Sequence, residues 1–148
     1  MSILTQIIVG FFAANVYDWF LHKHLLHGLG KRKKSFWSFH WKEHHKRARK
    51  DNNYDSKLYA KEIMSLQAFF VLHAYFLWEY PVLLATMGTY AVSYYIIHRY
   101  AHHNPEWCKK YLRWHWDHHM GKDQDKNWCV VLPFADYIFR TREKMVDK

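Results

Sequence analysis

Twelve of the thirteen histidines in this 148-residue chain fall into four tight clusters: HKHLLH (His22, His24, His27), HWKEHH (His40, His44, His45), HRYAHH (His98, His102, His103) and HWDHH (His115, His118, His119). Neutral imidazole is the commonest protein metal ligand, and a chain groups buried imidazoles only where something compensates their desolvation. The chemistry in prospect is therefore metal chemistry. A Cys/His finger is excluded, because the two cysteines, Cys108 and Cys129, are far apart and neither has a CxxC partner.

On an α-helix, with about 100° per residue, His98 and His102 point the same way and suit one ion. His118 and His119 are adjacent and diverge, so they can reach different ions. His40 and His44 repeat the four-residue spacing, with His45 rotated away. His22 and His27, five apart, cannot share a face of a regular α-helix: either they serve different ions or the helix loosens at Gly28 and Gly30. The ten candidate ligands, His22, His27, His40, His44, His45, His98, His102, His115, His118 and His119, are too many for one ion and suit a dinuclear centre. His24 and His103 are extras beside their clusters. His73 stands alone in an apolar stretch, where a histidine satisfied by a neighbouring helix is the commoner outcome.

The elements that must position these residues are apolar. Residues 3–21 carry no charge until Asp18 and match one crossing of a hydrocarbon core of about 30 Å. Residues 58–100 are interrupted only by Lys61, Glu62, Glu79 and Arg99, and Pro81 calls for a turn near their middle, dividing them into spans 58–78 and 81–100. The expected fold is an all-α integral membrane bundle of about three spans, one domain over 1–148. The loop 28–57 and the segment after Tyr100 would form a helical cap carrying the dimetal site. No lysine or arginine precedes the first apolar stretch, which reads as a permanent span and not as a signal peptide.

The rest of the chain is strongly basic, with a formal net charge of +9. Lys31, Arg32, Lys33, Lys34, Lys42, Lys46, Arg47, Arg49 and Lys50 crowd the loop after the first span, which makes that side cytoplasmic by the positive-inside rule. Basic and aromatic residues also serve nucleic-acid binding, but span-length apolar helices disfavour that reading. No GxGxxG or other flavin, nicotinamide or haem motif is visible, so electrons for any redox chemistry must come from a partner.

In their order and spacing the clusters resemble the boxes of the membrane-bound fatty acid hydroxylase and sterol desaturase superfamily, which run HxxxxH, HxxHH, HxxxH and HxxHH. His22 with His27, His98 with His102, and His115 with His118 and His119 match the first, third and fourth. The second, His40-x-x-x-His44-His45, is one residue longer than usual. The tail from Asn127 to Thr141 is also similar to the family's ending, with Arg140 where a small residue is usual. The HKHLLHG and FHWKEHHKRARKDN stretches are somewhat similar to carotene hydroxylases, a related class.

What the resemblance implies is a non-haem di-iron oxygenase. It would use O₂ and two electrons to hydroxylate or desaturate a C–H bond of a lipid such as a fatty acyl chain, sterol or carotenoid. The cofactors implied are two iron ions, with zinc as a substitute in purified material. The partners implied are a lipid from the bilayer and an electron donor such as cytochrome b5 or ferredoxin with its reductase; the reading leaves room for a homo-oligomer. Asp18, Glu43, Asp117 and Asp136 are the carboxylates placed to fix imidazole tautomers. A different class of function, a non-catalytic His-rich membrane protein that binds or transports metal, would need polar residues along a path through the bilayer. Only His73 and Glu79 offer themselves.

Overall fold

A computed structural model of the chain describes residues 1–145, with Phe76 and Leu77 described by backbone alone; the expected domain end at 148 lies outside the described residues. Among the described residues every regular element is helical. Helix α1 (Ile3–Phe20) opens at Ser2, whose hydroxyl accepts from the Thr5 amide, and runs without a break into a π-helical stretch, Leu21–Leu29. A second π-helical stretch, His40–His45, runs likewise into α2 (Lys46–Lys50). Helices α3 (Ala60–His73), α4 (Phe76–Glu79), α5 (Pro81–His103), α6 (Pro105–Tyr111), α7 (Arg113–Met120) and α8 (Phe134–Ile138) follow.

Proline sets two of the starts. Pro81 and Pro105 occupy first-turn positions, where the missing N–H costs nothing and the fixed φ favours helix. The break expected near Pro81 is present, since Tyr80 leaves helical geometry. The expected span 58–78 is not one helix, however: α3 stops at His73, and its 14 residues cover about 21 Å, short of a hydrocarbon core. Among the described residues only the continuous helix Ile3–Leu29 is both long and apolar enough to cross a membrane.

Helix α1 packs chiefly along α5. Gly10 allows the close approach, because a Cβ there would lie 2.9 Å from the Leu83 carbonyl oxygen. Phe11 and Tyr90 meet edge to face nearby, beside Ala14 and Met87. Helix α3 closes on α5 where the Phe70 ring covers Gly88. Between α1, α3 and α5 lies an apolar cavity of about 420 Å³. Helices α6 and α7 build a second small core from Cys108, Leu112 and Trp116 against Ala101 of α5.

The chain after α7 folds back onto α1 through buried polar side chains that serve as backbone partners. Asn15 donates to the Leu132 carbonyl and accepts from the Ala135 amide. Asp18 accepts from the Val130 and Val131 amides and the Tyr90 hydroxyl. Asp136 accepts from the Trp128 and Cys129 amides and the Thr141 hydroxyl. These ties bring residues 118–128 against the end of the first long helix, where all four histidine clusters converge.

Candidate metal centre

The histidines gather into two adjoining buried groups, His22, His27, His40, His45 and His118 in one and His44, His98, His102 and His119 in the other; within each, one nitrogen per ring lies within 4.8 Å of the rest. His115, also buried, stands beside the second group with its Nε2 3.1 Å from that of His102. All ten candidate ligands named from sequence are thus in one place. His24 lies outside against the Trp19 and Phe20 rings, His103 outside against Arg99, and His73 on α3, donating from Nδ1 to the Phe69 carbonyl.

Helix winding explains the membership. A π-helix closes i→i+5 hydrogen bonds and turns less per residue, so residues five apart lie nearer to one face than they do on an α-helix. His22 and His27 share a group because Leu21–Leu29 is wound this way, and the Gly30 amide ends the stretch by donating to Leu25, five residues back. Gly30 has to be glycine, since a Cβ would run into the Leu26 carbonyl oxygen and approach that of Trp37 to 3.0 Å. The same winding over His40–His45 pairs His40 with His45 and sends His44 to the second group. The pairing of His40 with His44 expected from α-helical spacing is therefore not the one found. On ordinary α-helices the expected behaviour holds: His98 and His102 fall together, and the neighbours His118 and His119 separate between groups.

Outward hydrogen bonds fix which nitrogen faces in. Nδ1 of His22, His102 and His118 meets the carbonyls of Trp128, Asn53 and Lys126, at 2.5, 2.8 and 2.6 Å. A carbonyl only accepts, so these Nδ1 atoms carry the proton and Nε2 presents a lone pair. Carboxylates do the same for His27 (Asp125, 3.2 Å), His44 (Asp55, 2.9 Å) and His98 (Glu62, 3.0 Å). The inward atoms are crowded: Nε2 of His22 lies 3.0 Å from that of His40, and Nε2 of His45 lies 2.9, 3.2 and 3.2 Å from those of His27, His40 and His118.

Converging lone pairs repel one another, and a cation among them turns that repulsion into coordination. Two nitrogens about 2.1 Å from one ion at right angles would stand about 3.0 Å apart, which matches the spacing found. In the second group the buried Nε2 atoms of His44, His98 and His119 have no hydrogen-bond partner among the described residues, an expensive arrangement unless something else engages them. The donor set, all imidazole, suits first-row divalent ions. Burial, reinforced by the neighbouring imidazoles, holds His40, His44, His45, His115, His118 and His119 well below the ordinary imidazole value of 6.5, the neutral state that ligation needs.

The four carboxylates expected to steady the rings are engaged elsewhere. Glu43 faces solvent and pairs with Lys57, because the π turn that aims its two histidine neighbours inward leaves it outside. Asp117 is buried between Arg113 and Arg142. Asp18 and Asp136 bind backbone amides, and Asp136 reaches the site only indirectly, by holding Trp128, whose carbonyl receives His22. The carboxylates that do touch ring nitrogens are Asp55, Glu62 and Asp125. Glu62 had a sequence signal, as one of four charges in a long apolar stretch; Asp55 and Asp125 sit in polar loops with none. Asp125 is held below the usual carboxylate range by its bond from His27, aided by Lys31.

The apolar cavity between α1, α3 and α5 ends on this centre, with His22 and His40 in its wall beside Leu21 and Leu25. An apolar cavity and a histidine cluster that could hold metal thus meet at two rings.

Comparison with known proteins adds one match. The model of the family described as fatty acid hydroxylase matches residues 7–141 of this chain. No curated protein and no solved structure matched.

Proposed function

Because the chain belongs to the fatty acid hydroxylase family, we propose that it is a membrane-embedded di-iron oxygenase that hydroxylates or desaturates a C–H bond of a lipid. The observation that carries this reading is the pair of adjoining histidine groups, with His22 and His40 of one of them in the wall of an apolar cavity. His22, His27, His40, His45 and His118 would hold one iron, and His44, His98, His102 and His119, with His115 at hand, the other. Iron so held supplies the activation of O₂ and the strong oxidant that an unactivated C–H bond requires.

The chain's own residues do the rest. Asp55, Glu62, Asp125 and the Trp128, Asn53 and Lys126 carbonyls keep the proton on Nδ1 of His44, His98, His27, His22, His102 and His118, so these six rings present Nε2 before substrate arrives. Leu66, Phe69 and Met87 line the cavity and exclude water from a hydrocarbon chain, which His22 and His40 meet at its inner end. Hydroxylation consumes the lipid C–H, one O₂, two electrons and two protons, and yields the alcohol and water. The electrons would come from cytochrome b5 or ferredoxin with its reductase, drawn to the basic surface around Lys31 to Lys34. In this reading α1, α3 with α4, and α5 cross the bilayer, the lipid enters sideways, and the centre lies on the cytoplasmic side.

The test is reconstitution with iron, O₂, a reductant chain and a lipid extract. The expected result is about two irons per chain and an oxygen-dependent oxidised lipid that disappears in His118→Ala. Metal flux across liposomes without any oxidised lipid would instead identify a metal-handling protein and overturn the proposal.

A further inference from the structure

From Val130 to Phe139 the only charged side chain is Asp136, which is fully buried. Five large apolar side chains of this arm, Leu132, Phe134, Tyr137, Ile138 and Phe139, are exposed, Tyr137 and Ile138 each to 60%. Such a patch on a water-soluble surface would be an aggregation hazard. It is also continuous with the outer apolar side of α1, since Phe134 packs edge to face on Phe12 at 5.4 Å and Phe139 lies on Trp19 at 4.3 Å. Residues 12 to 19 of α1 span about 10 Å of helix, so the arm runs beside the half of α1 nearest the histidines over roughly the depth to which a monotopic segment sinks into a leaflet.

Irregular backbone is tolerated in hydrocarbon only if its polar groups are satisfied internally, and here many of them are tied off by buried side chains and by the arm itself. Asp136 takes the Trp128 and Cys129 amides, Asp18 takes those of Val130 and Val131, and Asn15 takes the Leu132 carbonyl and the Ala135 amide. Beyond Ala135, the Tyr137, Phe139, Arg140 and Thr141 amides all donate within the arm. The Phe139 end carries positive charge: Arg140 is exposed there, and Lys23 reaches over the Trp19 ring beside Phe139. This is where anionic headgroups would lie.

We propose that the arm Val130–Phe139 is a re-entrant membrane element that dips into the leaflet on the histidine side, so that lipid, and not water or a second copy of the chain, covers its exposed face. The inference concerns membrane geometry and is independent of the chemistry at the metal centre.

The test uses the full chain in nanodiscs of phosphatidylcholine and phosphatidylglycerol. Cys108 and Cys129 are fully buried, so single cysteines at Tyr137 and Ile138 can be labelled with an environment-sensitive fluorophore, with Val16→Cys on α1 and Lys50→Cys on the basic surface as references. The expected result is loss of fluorescence at 137 and 138 to lipid-borne nitroxide and none to iodide, following position 16. Quenching that follows position 50 would overturn the proposal, as would protection from both quenchers with cross-linking to a second chain. Hydroxyl-radical footprinting of the unsubstituted protein gives a second reading: Phe134, Tyr137 and Phe139 should stay unoxidised in nanodiscs while the exposed Tyr111 reacts. Oxidation of the arm to the level of Tyr111 would overturn it equally.

Discussion

Asp55→Asn should weaken one metal site and leave its neighbour intact. Asp55 is 2% exposed, accepts from His44 Nδ1 at 2.9 Å and from the Tyr59 hydroxyl at 2.8 Å through Oδ2, and takes the Lys57 amide through Oδ1. Asparagine keeps one acceptor and presents an NH₂ group as the other: turned one way it sets a donor against both His44 and Tyr59, and turned the other way it sets a donor against the Lys57 amide and leaves His44 a neutral amide oxygen. Either way the Nδ1–H tautomer of His44 loses its carboxylate partner, and its inward lone pair is held less firmly. Losing such an outer partner costs about 10–100-fold in metal affinity, or roughly 1.4–2.7 kcal/mol at about 1.4 kcal/mol per decade. His44 belongs to the group with His98, His102 and His119, and to that group alone. Chelator competition against the zinc-loaded protein should therefore release one ion at 10–100-fold lower chelator while the second holds its original position. Glu43→Gln, at an exposed residue paired with Lys57, should leave both steps in place. Unchanged release in Asp55→Asn, or equal weakening of both ions, would refute the argument that outward hydrogen bonds set the ligating nitrogen ring by ring.

Gly30→Ala should be destabilising by about 1–3 kcal/mol, the usual cost of overpacking, because the new methyl meets the Leu26 carbonyl; thermal melts should show a lower midpoint together with a loss of bound metal. Ala91→Phe, in the cavity wall, should reduce or shorten the range of lipids oxidised while metal stoichiometry stays at the parent value. The metal-free protein should lose stability as pH falls. His40, His44, His45, His115, His118 and His119 are held below 6.5 when folded, so on acidification the unfolded chain takes up protons that the folded one refuses. Denaturant midpoints should be flat above about pH 6.5 and decline below it, and a midpoint that rises on acidification would contradict the buried, neutral rings.

Much of this centre was legible in the chain because ligand identity is carried by residue type. The clusters flagged all ten histidines, and the break before Pro81 and the divergence of His118 from His119 followed from local geometry. Two things were hidden. With α-helical winding the spacing predicts the wrong company for His40, His44 and His45, which lie on a π-helical stretch that the sequence does not announce. The outer carboxylates were sought near the histidines in sequence, whereas Asp55 and Asp125 arrive on loops from elsewhere. Asp18 and Asp136 looked like imidazole partners and prove to be anchors for the returning chain, a role that only the fold-back of residues 128–142 creates.

Where a motif gains a residue, an α-helix would throw the next donor about 100° round the axis and break the constellation. The wider π coil absorbs much of the insertion, so HxxxxH and the longer HxxxHH string of this chain deliver their first and last rings to the same histidine group. Register in such proteins is thus elastic, and a search that demands fixed intervals between donors would pass over chains whose centres are assembled no differently.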